Sequence, residues 1–197
     1  MSRAILILAA GASSRMGVGR DKLTEQIRGT ALLRLTCDKA LRCGLQVFAC
    51  VPSKTHDRAA LLPADVSAIP VPNAAEGMGV SLATGIAALP EQISDVMVLP
   101  ADMPDLSAAD LAQVWGEHRP DQITRGASSA AKPGHPVIFP RACFADLRQL
   151  TGDEGARSVV KSYAGQVHLV PLPGQNALTD LDTPEAWADW HAKAGGR

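Results

Sequence analysis

Several short stretches of the chain place residues suited to phosphate or metal chemistry close together. The first is Leu8-Ala9-Ala10-Gly11-Ala12-Ser13-Ser14-Arg15-Met16-Gly17, followed by Lys22. Small residues after a strand end let backbone N–H groups approach an anion with no side chain between them. Arg15 and Lys22 then supply charge, one as a planar fork and the other as a compact ammonium. The spacing matches neither G-x-G-x-x-G nor the P-loop pattern, and a tight turn with two solvated cations explains it equally well. The second stretch is Leu99-Pro100-Ala101-Asp102-Met103-Pro104. A carboxylate at the carboxyl end of a buried strand suits Mg²⁺, which takes oxygen ligands and bridges phosphates. A loop Asp capping the next turn is the plainer reading.

The third stretch, Asn73 to Leu82, sets Gly77 and Gly79 ahead of a helix, with the Ser81 hydroxyl and backbone amides as donors to a base or ribose. In the fourth, Asp180 and Asp182 precede Thr183-Pro184. Asp182 pairs naturally with Asp102 as a metal clamp, while Asp182 or Thr183 could equally cap the final helix. Gly134-His135-Pro136-Val137 and Gly152-Asp153-Glu154-Gly155-Ala156-Arg157 complete the set. A lone His beside Pro is more often a packed loop residue than a catalyst, and no other His stands at zinc spacing from it. The segment ending at Arg157 offers amides and a cation to an anion, or is an ordinary helix start. No G-x-S-x-G elbow or H-E-x-x-H helix is present.

These residues need elements to hold them. Ala4 to Ala9 is a continuous apolar run, as expected of a central parallel strand covered on both faces. Arg3 before that run resembles the start of a signal peptide, but the run is short and leads into a charged, glycine-rich segment. Helices are expected over 31–43 (ending at Gly44), 55–62, 79–89, 107–118, 142–150, 154–163 and 184–192. Strands are expected over 45–51, 66–71, 95–99, 122–125, 136–139 and 167–170, with a small-residue loop over 126–134. Strands alternating with helices, without a linker or repeat, predict one α/β domain over 1–197.

Composition bounds the partners. Hydrophobic residues make up 46% of the 197 residues, charged residues 20% and aromatics 4%, so the core is aliphatic. A net charge of −1 gives no footprint for nucleic acid, so any phosphate must be met by a few placed groups. No segment approaches the ~20 apolar residues of a membrane span. Four cysteines without C-x-x-C spacing fit reduced, mostly buried thiols in a cytoplasmic protein.

Taken in order, LAAGASSRMG, DKL, EGMGVSLATG, LPADMP, GHPVIFP, GDEGAR and LTDLDTPE resemble the nucleotidyltransferase family that includes the molybdopterin cytidylyl- and guanylyltransferases. The resemblance runs from residue 8 to residue 185. It implies a Rossmann-like three-layer α/β sandwich with a mixed, mostly parallel sheet. It implies a nucleotide site at Leu8, Ala9, Ala10, Gly11, Arg15, Lys22, Asn73, Gly77, Gly79 and Ser81, with Arg15, Lys22 and Asp102 catalytic. Asp102 and Asp182 would hold Mg²⁺, with Asp180 as the alternative to Asp182, and Gly134, His135 and Arg157 would border the acceptor. Ala10, where the guanylyl branch carries Gly, and Ala101, where it tends to carry Cys, favour CTP.

The implied reaction is transfer of CMP from CTP to the terminal phosphate of molybdopterin, with pyrophosphate released and a molybdenum hydroxylase as client. A guanylyltransferase, or CTP transfer to another small phosphorylated acceptor such as methylerythritol phosphate, would use the same site. A delivery module carrying cofactor to a hydroxylase is a reading of a different class; it predicts binding without metal-dependent turnover. A nicotinamide-binding oxidoreductase is a third class, but this chain lacks the third glycine at the spacing it requires.

Overall fold

The computed structural model describes residues 2–194. The apolar run after Arg3 forms strand β1 (Ser2–Leu8), with Ala4, Ile5, Leu6 and Ile7 fully buried. Burial on both faces is why this run shows no polar alternation. A small hairpin, β2 (Gln26–Ile27) and β3 (Thr30–Ala31), precedes helix α1 (Leu32–Leu41) and strand β4 (Gln46–Val51). Helix α2 (Asp57–Ala60), strand β5 (Val66–Pro70), helix α3 (Met78–Ala88), strand β6 (Ile93–Pro100) and helix α4 (Ala108–Gly116) follow. The remainder comprises β7 (Ile123–Ala127), β8 (Pro133–Pro140), α5 (Phe144–Leu147), α6 (Arg157–Ser162), β9 (Val167–Pro171) and α7 (Pro184–Ala194).

Seven strands among the described residues join in the order β5-β4-β1-β6-β8-β7-β9. Strands β5, β4, β1 and β6 run parallel, and β7 and β9 run parallel to each other. Strand β8 alone runs antiparallel, to β6 on one side and β7 on the other. This is the expected Rossmann-like α/β sandwich with a mixed, mostly parallel sheet.

Alternation along the strands sorts the core into two layers. Ile5 and Ile7 of β1 and Met97 and Leu99 of β6 pack with Leu33 and Cys37 of α1, Leu111 of α4 and Trp187 of α7. Ala4, Leu6, Val96 and Val98 face the other way, toward Leu82 and Ile86 of α3, Phe144 of α5 and Val159 of α6. Leu33, Cys37 and Ala40 lie three and four residues apart and are completely buried, the stripe an amphipathic helix presents to a sheet. Each fully buried Leu or Ile contributes roughly 1.5–3 kcal/mol. Burial also pushes the thiols of Cys37 and Cys50 up to about 12, leaving them protonated.

Boundaries differ from expectation where local signals were thin. The helix expected over 55–62 is only the short α2, confined between Pro52 and Pro63. The one expected over 142–150 is a 3-10 turn, Arg141–Cys143, leading into α5. Hairpin β2–β3 was not foreseen, because two-residue strands carry no periodicity. Strand β8 begins already at Pro133, which pairs with Ala127 where a loop was expected. No helix among the described residues is long and apolar enough to cross a membrane.

Candidate functional site

The register of β1 and β6 builds the site. Leu8 pairs with Pro100, and the Ala101 amide donates to the Leu8 carbonyl at 3.2 Å. The glycine-rich loop and Asp102 therefore leave the sheet side by side. From β1 the chain crosses to β4 on one side and returns to β6 on the other, a topological switch point at the carboxyl ends of parallel strands.

The loop is held from behind by a residue that motif reading did not single out. Arg58 of α2 has a side chain only 3% exposed, and its guanidinium meets both carboxylate oxygens of Asp21, at 2.6 and 2.8 Å. It also donates to the carbonyls of Ala9 and Gly11, at 2.6 and 2.7 Å, and to Ser13 Oγ at 3.0 Å. Ser13 Oγ donates in turn to Asp21, anchoring a residue whose φ of 53° is left-handed. With these carbonyls turned toward Arg58, the amides of Ala10, Gly11, Ala12 and Ser13 donate to nothing among the described residues. Successive free amides on a small-residue turn form an anion-binding concavity. Burial alone would raise the Asp21 pKa; the Arg58 guanidinium and the Leu23 amide outweigh it and hold the carboxyl below its usual range.

Lys22, just past the loop in sequence, donates to Asp102 and, at 2.5 Å, to Asp182. Arg15, largely exposed, reaches the second Asp182 oxygen at 2.8 Å. Burial disfavours the Lys22 ammonium, but the two carboxylates more than compensate and raise its pKa. Burial likewise opposes ionisation of Asp182; Lys22 and Arg15 win and lower its pKa. Asp180 is exposed and stands outside this cluster of contacts, its pKa raised by partial burial and then by the charges of Asp182 and Asp102.

Neither aspartate serves as a helix cap. Ser107 and Asp110 form the capping box of α4, and Thr183 Oγ1 accepts from the Ala186 amide at the start of α7. The Leu181 amide, donating to the Asp102 carbonyl at 3.0 Å, ties the two acidic segments together. Asp102 and Asp182 are thus the carboxylates that could share a divalent cation, since their oxygens already converge on a single ammonium. Among the described residues no group of three or more His, Cys, Asp or Glu side chains gathers for a metal. An ion here would take its remaining ligands from phosphate oxygens and water, the habit of Mg²⁺.

Between these walls lies a cleft of about 370 Å³, within the size range of small-ligand pockets. Leu8, Ala9, Ala10, Gly11, Arg15 and Lys22 line it. So do Gly77, Ser81, Asp102 and Asp182, together with Asp153, which motif reading left unassigned. Gly77 has φ +123°, and a Cβ there would meet the Gly152 carbonyl at 2.3 Å. Gly79 does not line the cleft; its amide donates to the Gly152 carbonyl at 2.7 Å, so its smallness serves packing against the 151–153 loop. Asn73 is exposed and also stands off the cleft wall.

The acceptor-side candidates lie at the start of β8 and on α6. Gly134 is buried where a Cβ would meet the Ala177 carbonyl at 2.0 Å, and the His135 amide donates to that same carbonyl at 2.8 Å. Arg157 is exposed at the start of α6. Arg125 of β7, not foreseen, donates through Nε to the Gly134 carbonyl at 2.6 Å. Arg58 and Arg125 escaped the sequence because their partners lie on other elements and neither stands in a recognisable pattern.

Comparison with known proteins bears on the family and the fold. Residues 5–167 match the family described as the MobA-like NTP transferase domain. Purine catabolism protein PucB of Bacillus subtilis (strain 168) is 28% identical over 193 residues, covering 92% of each chain. The crystal structure of Rv0371c from Mycobacterium tuberculosis H37Rv superposes with a TM-score of 0.83 at 23% identity, covering 96% of this chain and 97% of that one. The same protein in complex with manganese superposes at 0.78 with 22% identity, over 96% and 97% of the two chains.

Proposed function

The chain belongs to the MobA-like nucleotidyltransferase family, and on that premise we propose that it transfers CMP from CTP to the terminal phosphate of a molybdopterin-type acceptor, releasing pyrophosphate. The observation that carries this reading is one cleft lined by four loop residues with free amides and by Lys22, which is seated between Asp102 and Asp182. The amides cradle the triphosphate. Lys22 and Arg15 offset charge building on the α-phosphate and the departing pyrophosphate. An acceptor phosphate oxygen forms a bond to the α-phosphorus while the α–β bridging bond breaks, and the electron pair leaves with pyrophosphate. A phosphate monoester is already nucleophilic at neutral pH, so positioning and electrostatics supply most of the acceleration.

Mg²⁺ held by Asp102 and Asp182 would neutralise the phosphate oxygens of the bound nucleotide. That a structural neighbour was solved in complex with manganese supports a divalent ion as cofactor. Asp182 is preferred over Asp180 because it lines the cleft and Asp180 does not. Gly77 and Ser81 form the wall against base or ribose. Gly79 supports that wall through its packing on Gly152, and Asn73 opens the 3-10 turn that leads into Gly77. CTP is preferred because Ala10 and Ala101 follow the cytidylyl branch. We read residues 1–197 as one cytoplasmic nucleotidyltransferase domain serving a molybdenum hydroxylase.

The test is pyrophosphate release with CTP, GTP, ATP or UTP and Mg²⁺, with and without molybdopterin. The expected signal requires both CTP and the pterin. Turnover with GTP alone reassigns the nucleotide. Tight pterin binding without turnover on any nucleotide makes the chain a carrier.

A further inference from the structure

Asp102 stands in a loop whose shape the sheet does not dictate, since β6 ends at Pro100. Three carbonyls of that loop are nevertheless held, each by a different donor. The Asp102 carbonyl takes the Leu181 amide. The Ala101 carbonyl takes the Thr36 hydroxyl at 3.0 Å, and the Pro104 carbonyl takes Lys39 Nζ at 2.8 Å. No backbone amide among the described residues reaches either of these last two. Thr36 and Lys39 lie three residues apart on α1 and so share a face. Thr36 is 3% exposed and Ala101 1%, so their bond is closed to solvent. The Thr36 hydroxyl also lies 3.0 Å from the Leu32 carbonyl, a habitual partner for a helical Thr. That carbonyl is already served by the Thr36 amide in the helix ladder, so the single hydroxyl proton is needed at Ala101. The start of α1 is tied to Lys22. This helix has no side-chain cap, and its first amides lack partners within the helix. Those of Leu33 and Leu32 donate instead to the Leu23 carbonyl at 3.1 Å and the Glu25 carbonyl at 3.0 Å. One helix therefore grips both segments whose side chains, Lys22 and Asp102, are bonded to each other.

From this arrangement we propose that Thr36 is a positioning residue for Asp102, its hydroxyl fixing the Ala101 peptide and so the direction of the neighbouring carboxylate, with Lys39 as a second hold on the same loop. Its service to a divalent cation rests on the nucleotidyltransferase reading; its hold on the loop does not. The Ala101 carbonyl belongs to the rigid peptide plane that carries the Asp102 nitrogen. Turning that plane changes φ at Asp102 and swings its Cβ, and with it the carboxylate that meets Lys22. Valine keeps the branched shape of threonine and removes the donor. A buried carbonyl left without a donor is costly, so the plane turns to seek another. Groups that orient a metal ligand from behind are worth about 10–100-fold in metal affinity or activity.

Mn²⁺ is the probe, added to the full chain with a CTP analogue carrying methylene at the α–β bridge, the free ion being counted by its electron paramagnetic resonance. Thr36→Val should weaken Mn²⁺ binding about tenfold or more and lower kcat, with KM for CTP at saturating metal nearly unchanged. Thr36→Ser restores the hydroxyl and should bind Mn²⁺ as wild type does. Cys37→Ala removes core packing from the same helix without touching a hydrogen bond to the loop. It should lower the urea midpoint and leave Mn²⁺ affinity alone. In the metal-free protein, the Asp102 carboxyl-carbon resonance should move in Thr36→Val and stay in place in Thr36→Ser. Should Thr36→Val not fold, Lys39→Met carries both comparisons through the Pro104 carbonyl. Wild-type Mn²⁺ affinity with an unmoved Asp102 resonance in Thr36→Val, or an equal loss of Mn²⁺ affinity in Cys37→Ala, overturns the positioning role. A wild type that releases no pyrophosphate from any nucleotide, while the Asp102 resonance still answers to Thr36, overturns the nucleotidyltransferase reading and supports the positioning role.

Discussion

One ammonium is shared by two carboxylates in the cleft, and the removal of any of the three is informative. Lys22→Ala leaves Asp102 without its cation and Asp182 with the exposed Arg15 alone, and Asp102→Asn removes half of the shared charge site. Each should lower pyrophosphate release at saturating nucleotide by roughly 10²–10³, comparable to removing one oxyanion donor. Near-normal release from either variant would end the catalytic assignment. His135 gives a prediction of another kind. Its folded pKa lies at about 4, depressed by burial and by Arg125 and Arg157, whereas an unfolded His titrates at about 6.5. As pH falls from about 6.5 toward 4, the unfolded chain therefore takes up a proton that the folded chain refuses. The stability tied to the neutral ring is complete above that window and is lost through it. The urea midpoint should fall more steeply between pH 7 and 4.5 in wild type than in His135→Gln; parallel curves would refute this. Asp102 and Asp182 were legible because each sits beside a strand end or a helix start that the chain advertises, and Lys22 because it closely follows the glycine-rich loop. Arg58 and Arg125 were not, because a residue's burial and remote partner leave no mark on its neighbours in sequence.

The same contrast holds among elements. Helices α1, α3 and α4 were readable from apolar spacing and stop signals, including the Ser107–Asp110 capping box. The start of β8 was hidden, because Pro133 and Gly134 look like loop and become strand only by pairing across the sheet. The glycine-rich loop was readable as a turn, while the reason its amides stay free lies in α2. Arg58 reaches Asp21, Ala9, Gly11 and Ser13 only because a guanidinium presents five donors in a plane. Arg58→Lys keeps the charge and loses that span. It should raise KM for the nucleotide about tenfold with a smaller change in kcat, as the carbonyls of Ala9 and Gly11 are released. Arg58→Ala strands Asp21 as well and should cost about 3–5 kcal/mol by urea unfolding. An unchanged KM in the Lys variant would show that the loop keeps its shape unaided.

At the scale of the whole molecule, the site is closed by chain distant from where it opens. Trp187 of α7 is buried in the same core layer as Ile5, and Trp190 Nε1 donates to Asp105 just past β6. With Leu181 bonded to the Asp102 carbonyl, Asp182 is held from both flanks. Trp187→Ala should cost about 3–5 kcal/mol by urea unfolding and weaken nucleotide binding through Asp182. Lost stability with untouched nucleotide affinity would show that α7 is packing alone. The α/β class was readable from alternation along the chain, but strand order was not, since each pairing is a contact between distant segments. One consequence of that order concerns change over generations. Because β8 runs against its neighbours, it enters the sheet where β6 leaves it, and its first residues, Gly134 and His135 among them, follow a short return from β7 over 128–132. That return can be lengthened or rewritten without disturbing the crossing of β1 and β6, so a lineage can remodel this rim of the sheet while the glycine-rich loop and Asp102 keep their places.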